Sequence, residues 1–234
     1  MKTLLIGERY REKLEKHLIL QDFSPIWLPD NPLLDKRLSP HTDLSVFKYN
    51  DILILGAHLG TETIVNNLTN RGYRVKICGA EQSCAYPKDV NLCAALIGNK
   101  VLHNSNYTDP EILALGLENI YVKQGYARCT ALIIDDKSII TADNGIASAA
   151  KRCGIDVLLI SDEGIILEGF DKGFIGGASF KAGDTVYFIG DINRHPDGAA
   201  ICEFIQCHGV NYCSLTKEQL FDIGGAVCIE EAIL

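Results

Sequence analysis

Cysteine, aspartate and histidine side chains are the groups in this 234-residue sequence that could carry nucleophilic, cation-binding or proton-transfer chemistry. A thiolate is a nucleophile and a metal ligand, a carboxylate binds cations, and an imidazole transfers protons near neutral pH. The candidates beside β-type segments and turns are Cys228, Asp43, Asp89, His41, His103 and His195. Arg194, Gly224 and Gly225 lie next to them in sequence and complete the candidate site.

The nine cysteines predict neither disulfides nor a metal site. Their count is odd, their spacing is irregular and no export signal precedes them, so reduced thiols are expected. A zinc site is the alternative, because five ligand types lie close together: His195, Cys202, Cys207, His208 and Cys213. They contain no Cys-x-x-Cys pair, and a helix over 196–207 would turn two of the cysteines to different faces. We therefore predict no metal and no cofactor.

A short motif recurs along the chain. Phe174-Ile-Gly-Gly-Ala-Ser-Phe180 and Asp222-Ile-Gly-Gly-Ala-Val-Cys228 nearly coincide 48 residues apart, and Gln124-Gly-Tyr-Ala-Arg-Cys129 keeps the glycine, the alanine and the final cysteine. Two weaker copies, His41-Thr-Asp43 and Pro87-Lys-Asp89, carry an aspartate. Such repetition indicates a structural unit used several times. It predicts that Asp43, Asp89, Cys129 and Cys228 take equivalent positions around one cavity.

The context of the motif repeats as well. Each copy precedes a β-type run, a turn, a second strand, a helix and a third strand. The units are residues 41–79, 87–124, 125–161 and 174–216, and a fifth begins at 224 and is completed by residues 1–28. Strand 2–6 is expected to pair with 227–234, since this pairing leaves no sheet edge open. The prediction is one α/β domain, residues 1–234, built as a fivefold pseudosymmetric propeller of strand-hairpin-helix-strand repeats.

Composition restricts the partners. The net charge of -8 and the scattered 22 Lys and Arg give no basic surface for nucleic acid. The first apolar run is too short for a signal peptide or a membrane span. A cytoplasmic protein without nucleic-acid or membrane partners is expected, and a homodimer is left open.

The repeats, the early Asp copies and the late Gly-Gly-Ala-Val-Cys copy resemble the pentein fold of the guanidino-group modifying enzymes. These are arginine deiminase, agmatine deiminase, dimethylargininase and the amidinotransferases. The resemblance implies that Cys228 is the nucleophile, attacking a guanidinium carbon while the bound cation lowers the pKa of the thiol. It also implies that Asp89, together with Asp43, holds the guanidinium through charge-assisted hydrogen bonds.

The sequence departs from the family at the general acid/base. The resemblance places the family's histidine in the segment that reads Phe174 to Phe180 here, and that segment has no imidazole. Proton transfer by such a group contributes ~10²–10⁴-fold to a rate. The substitutes are His195, the one histidine of the same unit that lies at a strand end, and then His41 and His103. The alternative is a structural role for His195, because it precedes Pro196 and such a position is typical of a residue that flanks the start of a helix.

Two classes of function remain from the sequence. The first is a cysteine-dependent hydrolase or transferase acting on a guanidino or amidine compound. The second is a noncatalytic pentein that binds a small cation or a protein partner, with the cysteine and aspartates serving as core and turn residues. A nucleotide-binding fold ranks last, because no G-x-G-x-x-G turn follows a strand.

Overall fold

The protein is a mixed α/β structure, seen in a computed structural model that describes residues 2–229. Its strands are β1 (Lys2–Gly7), β2 (Phe23–Leu28), β3 (Val46–Tyr49), β4 (Ile52–Leu55), β5 (Arg74–Ile77), β6 (Ala95–Ile97), β7 (Lys100–His103), β8 (Glu118–Tyr121), β9 (Ala131–Asp135), β10 (Ser138–Thr141), β11 (Asp156–Leu159), β12 (Ile165–Ile166), β13 (Ser179–Ala182), β14 (Thr185–Phe188), β15 (Asn211–Ser214), β16 (Leu220–Phe221) and β17 (Val227–Ile229). Its helices are α1 (Arg11–Leu20), α2 (Glu62–Thr69), α3 (Pro110–Leu113), α4 (Ala127–Thr130), α5 (Asn144–Arg152) and α6 (Gly198–Cys207).

Fifteen of the strands form three-stranded sheets with one pattern of pairing. The orders are β17-β1-β2, β3-β4-β5, β6-β7-β8, β9-β10-β11 and β13-β14-β15. In each sheet the middle strand pairs antiparallel with one neighbour and parallel with the other. Strands β12 and β16 form a separate parallel pair. The arrangement of the five sheets as a pseudosymmetric propeller remains a prediction.

The first and last strands of the described chain lie side by side. β1 pairs antiparallel with β17, with Leu4 opposite Cys228 and Leu5 opposite Val227. This confirms the predicted pairing of residues 2–6 with the start of 227–234, and the rest of that segment lies outside the described residues. The first and last strands of the described residues therefore share one sheet.

Short hairpins and glycine stops explain how the sheets form. Tight turns join the antiparallel strands in four of the sheets, all except the pair of β17 with β1, and the parallel third strand returns after a helix or a helical turn, as parallel pairing requires. Gly72, Gly154 and Gly209 follow α2, α5 and α6 with positive φ angles of 87°, 74° and 70°. A residue just past a helix end adopts this conformation, and glycine has no Cβ to oppose it.

Backbone hydrogen bonds join the segments that lead into the five three-stranded sheets, which we call the strand entrances. The amide of Gly225 donates to the carbonyl of Gly177, and the amide of Gly177 donates to the carbonyl of Cys129, at 2.8 and 2.9 Å. The amide of Arg128 donates to the carbonyl of Cys93 at 3.4 Å. A further bond runs from the amide of Asp43 to the carbonyl of Gly224 at 3.1 Å. Distant parts of the chain are thus fixed to one another at the strand entrances.

Four of these residues lie the same number of positions before a strand, and this shared spacing corrects the alignment of the motif copies. Cys93, Cys129, Gly177 and Gly225 each stand two positions before the first strand of a sheet, whereas Cys228 is the second residue of its strand. Cys129 and Cys228 are therefore not equivalent. The prediction that they match was wrong because the motif was aligned by its final cysteine and not by the start of the strand.

Apolar side chains fill the space between the sheets and beneath the strand entrances. A buried cluster at the entrances contains Leu34, Leu38, Leu44, Val90, Cys93, Cys129 and Leu167, with Tyr126 and Phe174 packed against it. Cys93 and Cys129 are thus part of this buried cluster. Within residues 2–229, no helix has the length and apolar character needed to cross a membrane.

Candidate functional site

Three potential ligand groups meet at the strand entrances: Asp43, Cys93 and Cys129. Asp43 lies in the 3-10 turn Thr42–Leu44, Cys93 precedes β6, and Cys129 lies in α4. The Cys129 Sγ donates to the Asp43 Oδ2 at 2.7 Å, and the two sulfur atoms are 3.6 Å apart. The three side chains are at most 4% exposed. The meeting of Asp43 and Cys129 agrees with the expected shared position of these two residues.

The environment of this cluster favours uncharged side chains. Burial, and then the negative charge of Asp222, raise the pKa of Asp43 to about 7, while the hydrogen bond from Cys129 and the Arg128 guanidinium oppose the rise. Burial, the contact with Cys93 and the Asp43 charge raise the pKa of the Cys129 thiol well above its ordinary value. The thiol is therefore protonated at neutral pH in this structure.

A cavity of about 170 Å³ adjoins the cluster. Cys129 lies in its wall together with His41 and Asp222. Tyr126 and Lys172 add polar atoms, and leucine and phenylalanine side chains complete the wall. The volume is below the about 300–1,000 Å³ of pockets for drug-sized ligands, so the space suits a small ligand or the head group of a larger one.

His41 and Asp222 face each other in this wall. The His41 Nδ1 and the Asp222 Oδ1 are 4.0 Å apart. Burial lowers the pKa of His41 to about 3 and raises that of Asp222 to about 6. The imidazole is therefore neutral near pH 7, and the contact is not an ion pair. Among the described residues, the His41 Nε2 has no hydrogen-bond partner.

Asp222 is held in place by the backbone. Its two carboxylate oxygens each accept an amide proton at 2.9 Å, one from Phe174 and one from Gly224. A carboxylate has about four lone-pair sites, so acceptor capacity remains for a ligand in the cavity. Residue 222 opens the repeated Gly-Gly-Ala motif, but sequence analysis did not select it.

Gly224 and Gly225 shape the site through their backbone. Both have positive φ, 71° and 61°. A Cβ on residue 224 would lie 2.4 Å from the His41 Cβ, so only glycine fits beside this histidine. These two residues position the wall, and their expected role in binding substrate remains a prediction.

Asp89 contacts a residue of the cavity wall, Tyr126. Its Oδ2 accepts a short hydrogen bond from the hydroxyl of Tyr126, which lines the cavity, while its Oδ1 has no partner among the described residues. Burial and the hydrogen bond to Asp89 raise the pKa of Tyr126 above its ordinary value. Asp89 is therefore linked to the cavity wall by its hydrogen bond with the Tyr126 hydroxyl.

Cys228 faces a second cavity. It is half-buried in β17 and lies in the wall of a space of about 500 Å³, which Asp43 and Arg128 also line. Asp89 lines neither this space nor the smaller cavity. The structure therefore does not bring Cys228 and Asp89 into one cavity, and the catalytic role assigned to Cys228 remains a prediction.

The other histidines and Arg194 lie in different surroundings. His103 is buried in β7, and its Nδ1 contacts the Thr108 hydroxyl at 2.7 Å. The His195 Nδ1 accepts the amide proton of Asp197 at 3.0 Å, in the segment that leads into α6. Arg194 is exposed in the 3-10 turn Ile192–Arg194. None of these three residues lines either cavity.

Cys93, Tyr126 and Asp222 are the site residues that sequence analysis missed. Cys93 could have been found from its offset of two residues before a strand, which it shares with Cys129. Tyr126 stands inside the third motif copy, but it is not one of the residues that the copies share. The relevant signal was the strand boundary, which the motif alone does not give.

Solved structures with this fold confirm the resemblance to the guanidino-group modifying enzymes. The DDAH of Pseudomonas aeruginosa, in complex with citrulline, matches with a TM-score of 0.60 and 13% identity over 97% of this chain and 99% of that one. An adduct of a dimethylarginine dimethylaminohydrolase with S-methyl-L-thiocitrulline matches with a TM-score of 0.62 and 11% identity, over 97% of this chain and 99% of that one. The agmatine deiminase of C. jejuni gives 0.53 and 10% over 92% of this chain and 86% of that chain.

This likeness establishes a pentein-like α/β fold. No curated protein matches the sequence. One family model does, and it spans nearly the whole chain, over residues 5–227. The chain belongs to the family of unknown function DUF6873.

Proposed function

We propose that this protein binds a small guanidino or amidine cation in the cavity beside Cys129 and modifies it through a covalent bond to that thiol. The contact between Cys129 and Asp43 carries the proposal, because it sets a nucleophile 2.7 Å from a buried carboxylate. The adjoining cavity adds His41 and Asp222. The fold shared with DDAH and agmatine deiminase agrees with this kind of reaction.

The charge of the cavity supports a cationic ligand. Two buried carboxyl groups, Asp43 and Asp222, have raised pKa values because burial disfavours their negative charge, and Asp222 adds repulsion at Asp43. A planar cation in the cavity would offset both effects, and it would donate charge-assisted hydrogen bonds in fork geometry to the Asp222 carboxylate. The same positive charge would lower the pKa of the Cys129 thiol at the moment when it is needed.

The covalent step follows from these contacts. Cys129 transfers its proton to the Asp43 Oδ2, and its sulfur bonds to the central carbon of the bound amidine group. The bond from that carbon to the leaving nitrogen breaks, and the amine leaves with the proton that Asp43 received. Water or an acceptor amine then attacks the carbon and releases the thiolate, while the neutral His41 accepts the proton from the attacking group and returns it to sulfur.

Cys228 is retained as the second candidate nucleophile. The family resemblance favours it, and it lines a cavity that also contains Asp43. Cys129 is preferred because histidine and two carboxyl groups surround it.

We also infer that the five three-stranded sheets surround one axis through the strand entrances. The backbone bonds that link Gly225, Gly177 and Cys129 support this arrangement.

The test is alkylation by 2-chloroacetamidine, a cationic electrophile, compared with neutral chloroacetamide, with the modified residue identified by mass spectrometry. We expect the amidine to label Cys129 first. Asp222→Asn should slow the amidine and leave the amide unchanged, because only the cation needs the carboxylate. Asp156→Asn, at an exposed carboxylate, is the matched control.

Cysteine variants separate the alternatives. Cys129→Ser should abolish the fast labelling, and Cys228→Ser should leave it intact. Fast labelling of Cys228 would transfer the nucleophile to the larger cavity. Equal rates for both reagents at all thiols would contradict the proposal, and reversible binding of methylguanidinium without labelling would identify a noncatalytic binding protein.

A further inference from the structure

The geometry points to a zinc-binding site formed by Cys93, Cys129 and Asp43. One ligand atom from each residue lies within 4.8 Å of the other two, and all three side chains are buried. Cys93 has no part in the covalent chemistry proposed above. The site shares Cys129 and Asp43 with that proposed function, on which it otherwise does not depend, so zinc and the cation would exclude each other.

The distances fit the ion. Zn–S bonds of ~2.3 Å at tetrahedral angles separate two sulfur atoms by ~3.8 Å, and the two sulfur atoms here are 3.6 Å apart. The cysteines therefore need little movement to bind. The Asp43 Oδ2 would lose its contact with the Cys129 thiol, because that proton leaves when the thiolate binds the metal.

An unsatisfied oxygen supports the same site independently. The Asp43 Oδ1 is buried and has no hydrogen-bond partner among residues 2–229. A buried carboxylate oxygen without a donor is costly, and a metal ion is one of the groups that resolve it. The carboxylate can therefore present either oxygen to the ion by a small rotation.

The fourth ligand would be solvent. Cys129 lines the smaller cavity and Asp43 lines the larger one, so the cluster adjoins two spaces that can hold solvent. Three protein ligands with one open position is a common zinc arrangement. His41 shares the smaller cavity and can hydrogen-bond a metal-bound water.

The ligand set selects zinc over the hard cations. Magnesium and calcium require oxygen ligands, whereas two thiolates favour zinc. Binding replaces the two thiol protons, which pass to solvent, and no electron is transferred. The cluster carries one negative charge when only Asp43 is ionised, and it carries one negative charge again when two thiolates, the carboxylate and Zn²⁺ are present. The buried net charge is therefore conserved.

The experiment is titration of the reduced full-length protein with Zn²⁺ in competition with a chromophoric chelator, repeated with Co²⁺ as an absorption probe. We expect one ion per chain and a thiolate-to-cobalt charge-transfer band. Loss of a group that only supports a ligand costs about 10–100-fold in affinity, so Cys93→Ser should weaken zinc by about 100-fold or more. Cys153→Ser, at a half-buried cysteine outside the cluster, is the control and should change affinity less than about 3-fold.

A measurement on the unaltered protein guards against a variant that fails to fold. Bound zinc should protect Cys93 and Cys129 together from alkylation, while the exposed Cys84 and Cys207 react as before. Absence of the cobalt band, or equal zinc affinity in the parent and Cys93→Ser, would overturn the site.

The two proposals can fail separately. If Cys129 is labelled by the amidine but zinc does not bind, the zinc site is wrong and the proposed function stands. If zinc binds but no cysteine reacts faster with the amidine than with the amide, the proposed function is wrong and the zinc site stands. If both are correct, zinc should block amidine labelling in the parent and not in Cys93→Ser.

Discussion

Gly224 lies against His41 so closely that a Cβ on residue 224 would come within 2.4 Å of the His41 Cβ. It also has a φ of +71°, which a side chain disfavours. We predict that Gly224→Ala lowers the free energy of unfolding and displaces His41. Gly154→Ala is the matched control, because Gly154 has a φ of +74° and nothing within 4 Å of its Cβ position.

The control should lower the free energy of unfolding by about 1–2 kcal/mol, because alanine disfavours the left-handed backbone conformation. Gly224→Ala should lose a further 1–3 kcal/mol, roughly the cost of overpacking a core. Urea denaturation of both variants measures the difference. Equal losses would mean that the contact with His41 relaxes without cost.

Ile229 tests whether the paired chain ends stabilise the fold. It lies in β17 opposite Thr3, is fully buried, and packs in a cluster with Leu5 and Leu28. Ile229→Ala should lower the free energy of unfolding by about 2–5 kcal/mol, as for other large-to-small core changes. Ile166→Ala, at a side chain that is 47% exposed, should change it by less than about 1 kcal/mol. A small loss in both variants would show that the end of the chain contributes little to stability.

The sheet elements could be predicted from the sequence, but the cluster in the site only in part, because the repeat pointed to Asp43 and Cys129 and not to Cys93. Turn residues and apolar strands are local signals, so the hairpin of β3 and β4 follows from them. The pairing of β1 with β17 follows instead from the incomplete fifth repeat and from the need to cover a sheet edge. The contact of Asp43 with Cys129 joins residues 86 positions apart, and that of Cys93 with Cys129 joins residues 36 apart. Such contacts depend on how the sheets pack.

The histidines show the same limit. His195 was favoured because it belongs to the repeat where the family histidine is expected, and the structure lines the cavity with His41 instead. His41 reaches the cavity because the amide of Asp43, two residues further on, donates to the Gly224 carbonyl, and because the glycine leaves room for the ring. Neither condition is visible in the sequence around position 41. The aspartate beside it was identified because it recurs in a motif.

Tyr126 links Asp89 to the cavity, and removing its hydroxyl should destabilise the protein. Tyr126→Phe leaves the buried Asp89 carboxylate without its side-chain donor, at a cost of about 1–3 kcal/mol. Tyr121→Phe, at a side chain that is 46% exposed, is the control and should be nearly neutral. In a double-mutant cycle, Asp89→Asn should cost less in the Tyr126→Phe background than in the parent. Additive losses would contradict coupling between these two side chains.

The pKa of Asp222 predicts how cation binding depends on pH. Burial raises this pKa to about 6 in the protein. A protonated carboxyl group cannot attract a cation, so the affinity for methylguanidinium should rise with pH and level off once the group is ionised. The proton that Asp222 releases per bound cation gives a slope that approaches about tenfold per pH unit below pH 6, and ionisation of Asp43 makes the slope steeper. Asp43, with a pKa of about 7, titrates in the same direction, whereas His41 stays neutral throughout because its pKa is about 3.

Calorimetric titration with methylguanidinium between pH 5 and 8, in the presence of a chelator, measures this dependence. Asp222→Asn should bind more weakly at pH 8 and show a shallower slope, because the charge that it removes is one of the two that titrate. The exposed Asp156→Asn should follow the parent at every pH. Affinity that is constant with pH, or that increases on acidification, would exclude Asp222 as a ligand for the cation.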